Sequence, residues 1–129
     1  MGVIFQKTLE YSKIRKQFGV PIATFQALQH RMAEMFIEYE QAKSITLMAA
    51  MQLDAKGSDP AAVSAAKSRV GRAAKRIGEE SIQIHGGIGV TEELDVGHYF
   101  KRLTAMQYQF GSTDFHTARF AKVSDSNSG

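Results

Sequence analysis

The sequence has 129 residues, of which 43% are hydrophobic, with a formal net charge of +3. This length predicts one domain, and no apolar run is long enough to predict a membrane span. The absence of cysteine excludes disulfides, thiolate metal sites and a cysteine nucleophile, and is consistent with a cytoplasmic protein. Basic residues are spread among acidic ones, so the charge pattern does not indicate a nucleic-acid surface.

Helical periodicity dominates the first half of the chain, and no strand alternation is found. Residues 3–16 predict a short helix that ends near Phe18-Gly19. After Pro21, Thr24 is the expected N-cap of a long helix that reaches about Lys56. Its apolar stripe steps by threes and fours and includes Phe25, Leu28, Met32, Met35, Tyr39, Ala42, Thr46, Ala49 and Leu53. We interpret the methionines at positions 32, 35, 48 and 51 as core residues.

A second long helix follows a strong start signal. Asp59 supplies a capping acceptor. Pro60 is suited to the first helical position, because the N–H that proline lacks would have no partner within the helix there. Gly71 and Gly78 predict close approach of neighbouring helices, and Gly86-Gly87 should end this helix.

Two more helices are predicted, one from Thr91 to about Gln107 and one over residues 112–122. The domain therefore spans residues 1–122, followed by a polar tail over residues 123–129. The predicted fold is all-α: an up-and-down four-helix bundle with long antiparallel central helices.

The segment IQIHGGIG, residues 82–89, has three glycines that could suggest a phosphate loop. The order is helix then glycines, whereas a dinucleotide fingerprint needs a strand, GxGxxG and then a helix. No Lys with Ser or Thr follows, so a P-loop is also disfavoured. A helix end is the better interpretation, with Gln83 placed to hydrogen-bond a ligand or a partner chain.

The segment SKIRKQFG, residues 12–19, has two interpretations that the residues alone leave open. It is either a solvated helix end whose cations favour the helix dipole, or an anion clamp. In the clamp, Arg15 would grip a phosphate and Phe18 would cover a flat ring. No metal site is predicted, because the four histidines lack helical i, i+4 spacing and we interpret each as a surface or interface residue. The Glu-x-x-His pairs of a di-iron bundle are also missing.

Four ordered segments give the chain a family resemblance. YSKIRKQFGVPIATFQALQHRMAEM, IQIHGGIGVTEE, HYFKRL and FGSTDFHTARFA together resemble the C-terminal helical domain of acyl-CoA dehydrogenases. The resemblance covers about residues 3–122. It implies a four-helix bundle that helps to bind FAD and that assembles into dimers or tetramers.

The resemblance also implies a cofactor site shared between subunits. Arg15 would contact the pyrophosphate of an FAD bound mainly by a neighbouring subunit, with Gln17 and Phe18 beside it. Ile22, Phe25 and Gln26 would lie near the adenine end. Gln83 would touch the cofactor across the interface, where Gly86 and Gly87 allow close backbone approach.

One position departs from the family pattern. Many members place a catalytic glutamate before a glycine in a segment like EGTS, whereas this chain has FGST with Phe110 at that position. Asp114, four residues later, is the nearest acid. Members with similar FG sequences resemble subunits of heteromeric steroid-side-chain dehydrogenases, in which a homologous subunit supplies missing groups. We therefore assign no catalytic residue to this chain.

Two functional hypotheses follow. The first is a domain or fragment of an acyl-CoA dehydrogenase-like flavoprotein, inactive as an isolated chain and binding FAD weakly or not at all, because most cofactor contacts lie elsewhere. The second is a free-standing helical bundle that self-associates as a dimer or tetramer and has no enzymatic activity.

Overall fold

The computed structural model describes residues 1–86 and 90–128, with the side chains of residues 90–94 left undescribed. Its elements, in chain order, are α1 (Gly2–Ile14), β1 (Lys16–Gln17), β2 (Val20–Pro21), a short 3-10 helix (Ile22–Thr24), α2 (Gln26–Lys56), α3 (Pro60–His85), α4 (Val90–Tyr108) and α5 (Thr113–Asn127). None of the described helices is long and apolar enough to cross a membrane.

Helix α3 is the centre of the fold, because α1, α2, α4 and α5 all pack against it. Ion pairs fix the register of α2 on α3: Arg69 meets Glu38 at 2.6 Å, whereas Arg31 meets Glu80 at 2.6 Å. Residues near the start of α2 therefore lie beside residues near the end of α3, so the two long helices are antiparallel. The predicted all-α bundle with long antiparallel central helices is confirmed.

The start of α3 follows the predicted capping chemistry. The amide of Ala62 donates to Asp59 Oδ1 at 2.9 Å, and Pro60 occupies the first turn. This hydrogen bond and the nearby Lys56 ammonium hold the pKa of Asp59 below its usual value. Gly57, at a φ of 73°, ends α2 in the left-handed region that glycine adopts freely.

The core lies along α3 and the inner face of α2. Met35 and Ile77 are fully buried, and Met32 is also buried, as predicted. The same prediction is wrong for Met48 and Met51, which are 46% and 63% exposed. These two positions fall on the face of α2 that points away from α3, because the 3.6-residue period places them roughly opposite the buried stripe.

The two helical glycines of α3 mark close approach, as predicted. A Cβ on Gly78 would lie 3.0 Å from the ring of Phe100 in α4. A Cβ on Gly71 would collide with the side chain of Thr113 in α5. Both positions therefore bring a neighbouring helix against the backbone of α3.

Three local predictions need correction. A strand pair, β1 with β2, forms where no strand was expected, because the Phe18-Gly19 turn folds the chain back on itself. Thr24 does not cap α2; its Oγ1 donates to Pro21 O at 2.7 Å inside the 3-10 helix, and Phe25 is the N-cap residue. Helix α5 continues past 122 to Asn127, so most of the predicted tail is helical.

Candidate functional site

A tight hairpin follows α1 and presents an aromatic side chain to solvent. Gln17 pairs with Val20, so the turn consists of Phe18 and Gly19. Their φ values are 53° and 79°, as in two-residue turns that match the strand twist. Phenylalanine rarely adopts a positive φ, and the conformation costs about 1–3 kcal/mol. Phe18 is nevertheless 89% exposed.

The base of this hairpin is fixed through the backbone of Arg15. Its amide donates to Tyr11 O at 2.8 Å, and its carbonyl accepts from the amide of Ile22 at 2.7 Å. Within the described residues, no hydrogen bond or ion pair engages its guanidinium group. Arg15 therefore offers a fixed backbone and an available cation at the base of the hairpin that carries Phe18 at its turn.

Gln83 is held at the carboxyl end of α3 by a cation from α2. Arg31 Nη2 donates to Gln83 Oε1 at 2.7 Å, while Arg31 Nε donates to Glu80 Oε2 at 2.6 Å. At Gly86, which follows the helix, a Cβ would approach Gln83 O to 2.9 Å. Gly87 lies outside the described residues.

The remaining predicted cofactor residues lie in the link between the hairpin and α2. Ile22 is partly buried against the core, Phe25 is 36% exposed, and Gln26 is exposed at the first position of α2. Because Arg31 joins the start of α2 to Gln83, this link lies at the same end of the bundle as the carboxyl end of α3.

A buried polar cluster joins the end of α1 to the end of α3. The rings of Tyr11 and His85 stack at 4.3 Å, Tyr11 Oη donates to His85 O at 3.3 Å, and Thr8 Oγ1 lies 3.3 Å from His85 Nε2. This cluster brings the Arg15 hairpin to the end of the bundle that carries Gln83. His85 is 3% exposed, so its interpretation as a surface or interface histidine is wrong. The spacing of eight residues puts His85 on the same helix face as the buried Ile77, and this spacing could have predicted its burial from the sequence.

A second Phe-Gly turn joins α4 to α5. Phe110 has a φ of 58° and is 93% exposed, and Gly111 has a φ of 101°. His116 Nε2 lies 2.7 Å from Phe110 O, and its Nδ1 lies 3.2 Å from Ser64 Oγ, so the turn is bound to α3. His116 is 4% exposed, which also contradicts the surface or interface interpretation.

The second turn offers no proton acceptor from its side chain, because Phe110 ends in hydrocarbon. Asp114 is exposed in the first turn of α5, after Ser112 caps that helix. The turn at residues 110–111 also lies far from Gln83. Lys67 of α3 donates to Met106 O, near the end of α4 that leads into this turn, at 3.0 Å, so the turn lies at the level of Lys67. The axial separation from Lys67 to Gln83 along α3 is roughly 24 Å.

Comparison with known families gives a match over almost the whole chain. The family described as acyl-CoA dehydrogenase, C-terminal domain, matches residues 1–124. The chain belongs to the acyl-CoA dehydrogenase family. The resemblance drawn from the sequence is therefore confirmed.

Curated relatives within this family are longer. Acyl-CoA dehydrogenase IpdE2 of Mycolicibacterium smegmatis is 40% identical over 97 residues, which cover 74% of this chain and 29% of the relative. Probable acyl-CoA dehydrogenase YngJ of Bacillus subtilis is 33% identical over 115 residues, or 89% of this chain and 30% of the relative. The chain thus spans about three tenths of the length of these relatives.

Solved structures share the helical architecture. Butyryl-CoA dehydrogenase from Megasphaera elsdenii superposes with a TM-score of 0.85 at 27% identity, over 95% of this chain and 32% of that one. PigA, solved as an FAD complex, gives a TM-score of 0.85 at 27% identity over the same shares. The ChsE4–ChsE5 complex from Mycobacterium tuberculosis gives 0.84 at 26% identity, over 92% of this chain and 32% of that chain.

Proposed function

We propose that the chain is the C-terminal helical module of an acyl-CoA dehydrogenase-like flavoprotein. It contributes contacts to an FAD that is held mainly by another polypeptide, and it takes part in subunit assembly. The observation that carries this proposal is the hairpin that has an exposed Phe18 with positive φ at its turn and Arg15 at its base. Similarity to PigA, whose structure contains FAD, and to the ChsE4–ChsE5 complex supports the cofactor and the assembly.

The hairpin has the chemistry that a flavin nucleotide requires. A guanidinium group binds a phosphate through two parallel hydrogen bonds, which suits Arg15 to a pyrophosphate. Phe18 would cover a flat ring from its position at the turn, with Gln17 beside it. The binding energy of such a contact would offset the cost of the positive φ at Phe18, a position that is 89% exposed.

The end of α3 would meet the cofactor with a donor. Arg31 already donates to the side-chain oxygen Oε1 of Gln83. The side-chain nitrogen Nε2 is therefore the group that can donate to an acceptor on a ligand. The missing side chain of Gly86 permits close backbone approach, and Gly87 is proposed for the same role. Ile22, Phe25 and Gln26 would contact the adenine end.

The proposed reaction is the α,β-desaturation of an acyl-CoA by a completed enzyme. When bound, FAD supplies the acceptor for a hydride from the β-carbon. This chain's residues position that cofactor, and none is assigned as the base that removes the α-proton. Phe110 cannot accept a proton, so the base comes from another part of the enzyme or from a homologous subunit.

A chimera tests the cofactor contacts. Residues 1–124 replace the matching part of the Mycolicibacterium smegmatis relative, and bound FAD per subunit is measured after gel filtration. Arg15→Ala should weaken FAD affinity about tenfold or more, because a charge-assisted partner of the pyrophosphate is lost. Lys13→Ala, which removes an exposed cation two residues earlier, is the matched control. Equal FAD retention by both variants would contradict the proposal.

The isolated chain gives a second test, because we propose that it binds FAD weakly or not at all. Titration of the purified chain with FAD should show little binding below millimolar concentration, since most contacts are absent. Stoichiometric flavin that co-purifies with the chain would contradict this part of the proposal.

A second candidate function is self-association as a dimer or tetramer without enzymatic activity. The outer face of α2 supports it, because Ile37, Leu47 and Met51 are 52%, 63% and 63% exposed. Exposed apolar side chains on one helix face are typical of an association surface. Light scattering at micromolar concentration should give a dimer or tetramer, and Leu47→Lys should lower its mass. A monomer would remove this candidate.

A further inference from the structure

Arg31 links the start of α2 to two side chains near the carboxyl end of α3. Its Nε donates to Glu80 Oε2 at 2.6 Å, and its Nη2 donates to Gln83 Oε1 at 2.7 Å. The side chains of Arg31 and Glu80 are both partly buried, whereas Gln83 is exposed. One guanidinium group on α2 therefore holds an exposed glutamine of the neighbouring helix.

The chemistry of Arg31 decides which way the Gln83 amide faces. A guanidinium group carries only donors, so the amide can meet it only with its oxygen. The nitrogen Nε2, with its two N–H donors, then points away from Arg31. Within the described residues, no hydrogen bond uses Gln83 Nε2. The end of α3 therefore presents a donor that is available to a ligand.

Glu80 is a competing partner for that donor. It precedes Gln83 by three residues, a spacing at which side chains on a helix surface are neighbours. A carboxylate only accepts hydrogen bonds, so without Arg31 the Nε2 group would turn back along α3 to meet it. Arg31 prevents this, because its planar fork occupies the carboxylate of Glu80 and the oxygen of Gln83 at the same time.

Among the described residues, the other ion pairs between α2 and α3 have the opposite arrangement. There the cations lie on α3, where Arg69 and Arg76 both meet Glu38 of α2. At Arg31 the cation lies on α2, and both of its acceptors lie on α3. The reversal brings a cation to the carboxyl end of α3, where the helix dipole favours it, and within reach of the exposed amide.

We propose that Arg31, held in place by Glu80, is a positioning residue for the cofactor contact of Gln83. It keeps the Gln83 amide turned so that Nε2 donates to the flavin nucleotide, and it needs no contact with the nucleotide itself. This inference rests on the proposed function, because it takes Gln83 as a contact to FAD. It adds that the partner atom on the ligand is a hydrogen-bond acceptor, and that a residue of α2 sets the direction of the bond.

A double-mutant cycle in the chimera tests the positioning role through FAD affinity. Arg31→Met keeps an unbranched apolar stem and removes the donors. It should weaken FAD binding about fivefold, the effect of losing roughly one hydrogen bond. Gln83→Leu should weaken binding by a similar factor. Adding Arg31→Met to Gln83→Leu should change nothing further, because Arg31 acts through the amide that is already missing.

A rescue variant separates positioning from a general loss of structure. When Arg31→Met is combined with Glu80→Met, the carboxylate that would capture Nε2 is also gone. FAD affinity should then recover to within about twofold of the unmodified chimera. A purely structural role of Arg31 predicts that the combined variant is worse than Arg31→Met, and that result would overturn the inference.

Arg76→Met is the matched control, because the Arg76 guanidinium meets Glu34 and Glu38 of α2 instead of Gln83. It should lower the melting temperature of the isolated chain by about as much as Arg31→Met does, since each variant removes interhelical ion pairs. It should leave the FAD affinity of the chimera unchanged. An equal loss of FAD affinity in the two variants would overturn the positioning role.

Two further results would overturn the inference and leave the proposed function standing. One is an equal loss of FAD affinity from Arg31→Met with and without Gln83→Leu, which would make Arg31 a contact in its own right. The other is unchanged affinity in Arg31→Met while Gln83→Leu weakens binding. Unchanged affinity in Gln83→Leu would overturn the inference too, and if Arg15→Ala were also without effect, the proposed function would fail with it.

Discussion

The two Phe-Gly turns share a dipeptide and a left-handed phenylalanine, yet they are supported in different ways. At Phe110-Gly111, His116 fixes the carbonyl of Phe110, and a Cβ on Gly111 would lie 2.6 Å from the Phe115 ring. At Phe18-Gly19, a Cβ on Gly19 would meet no atom of the described residues within 4 Å. The turn at residues 110–111 is packed into the fold, and the hairpin turn at residues 18–19 stands open.

This difference separates a structural reason for strain from a functional one. In the second turn, residues 110–111, contacts with the rest of the fold hold the backbone at its positive φ values. The strain of this turn is therefore a consequence of folding. The hairpin turn, residues 18–19, has no such packing among the described residues. Strand pairing specifies its backbone, and we propose that a ligand outside the chain is the reason for a phenylalanine at that position. We propose that this ligand carries a phosphate for Arg15, at the base of the hairpin, and a flat ring for Phe18, at its turn.

Gly111→Ala should give the largest loss of stability, about 3 kcal/mol. The substitution adds the penalty of a positive φ to a clash with Phe115 and His116. Urea unfolding at a fixed protein concentration measures it. A loss below 1 kcal/mol would show that this turn is as open as the hairpin.

His116→Ala should lower the free energy of unfolding by about 2 kcal/mol. It leaves Ser64 Oγ and Phe110 O without their buried partner and opens a cavity. The same urea experiment applies, with His30→Ala as the matched control because the His30 side chain is 77% exposed. Similar losses in the two variants would mean that His116 does not anchor the turn.

Gly19→Ala should have a smaller effect, about 1 kcal/mol. The positive φ is unfavourable for alanine, but the added Cβ meets open space. Comparison with Gly111→Ala in the same unfolding assay isolates the contribution of packing. Equal losses at the two glycines would break the contrast between the turns.

Phe18→Asn should have the smallest effect on stability and in the opposite direction, a gain of about 0.5 kcal/mol. Asparagine tolerates the left-handed region better than phenylalanine does, and Phe18 has little packing to lose. A loss of 1 kcal/mol or more in urea unfolding would show that Phe18 stabilises the isolated fold.

The helices and their ends could be predicted from the sequence because local signals specify them. Asp59-Pro60 and Gly57 act within one turn of the backbone, and the stripe through Met32 and Met35 reports a buried face directly. Met48 and Met51 were assigned to the core wrongly, because a helix with a second apolar face gives no local sign of which face is covered.

The details of the site depended on contacts between distant segments. The burial of His85 and His116 arises from Tyr11 and Ser64, which lie 74 and 52 residues away. The strand pair around Phe18 depends on positive φ values at both Phe18 and Gly19. A Phe-Gly dipeptide does not predict the positive φ at the phenylalanine. An anion clamp at Arg15 and a ligand contact of Gln83 were among the interpretations that the residues left open. Their assignment to FAD came from the family resemblance and stays a prediction.

Whether the hairpin serves a ligand is tested by the FAD affinity of the chimera with and without Phe18→Asn, measured beside the stability of the isolated chain. We expect FAD affinity to fall about tenfold while the isolated chain becomes no less stable, because Phe18 serves the ligand and not the fold. Unchanged FAD affinity in the Phe18→Asn chimera would contradict it.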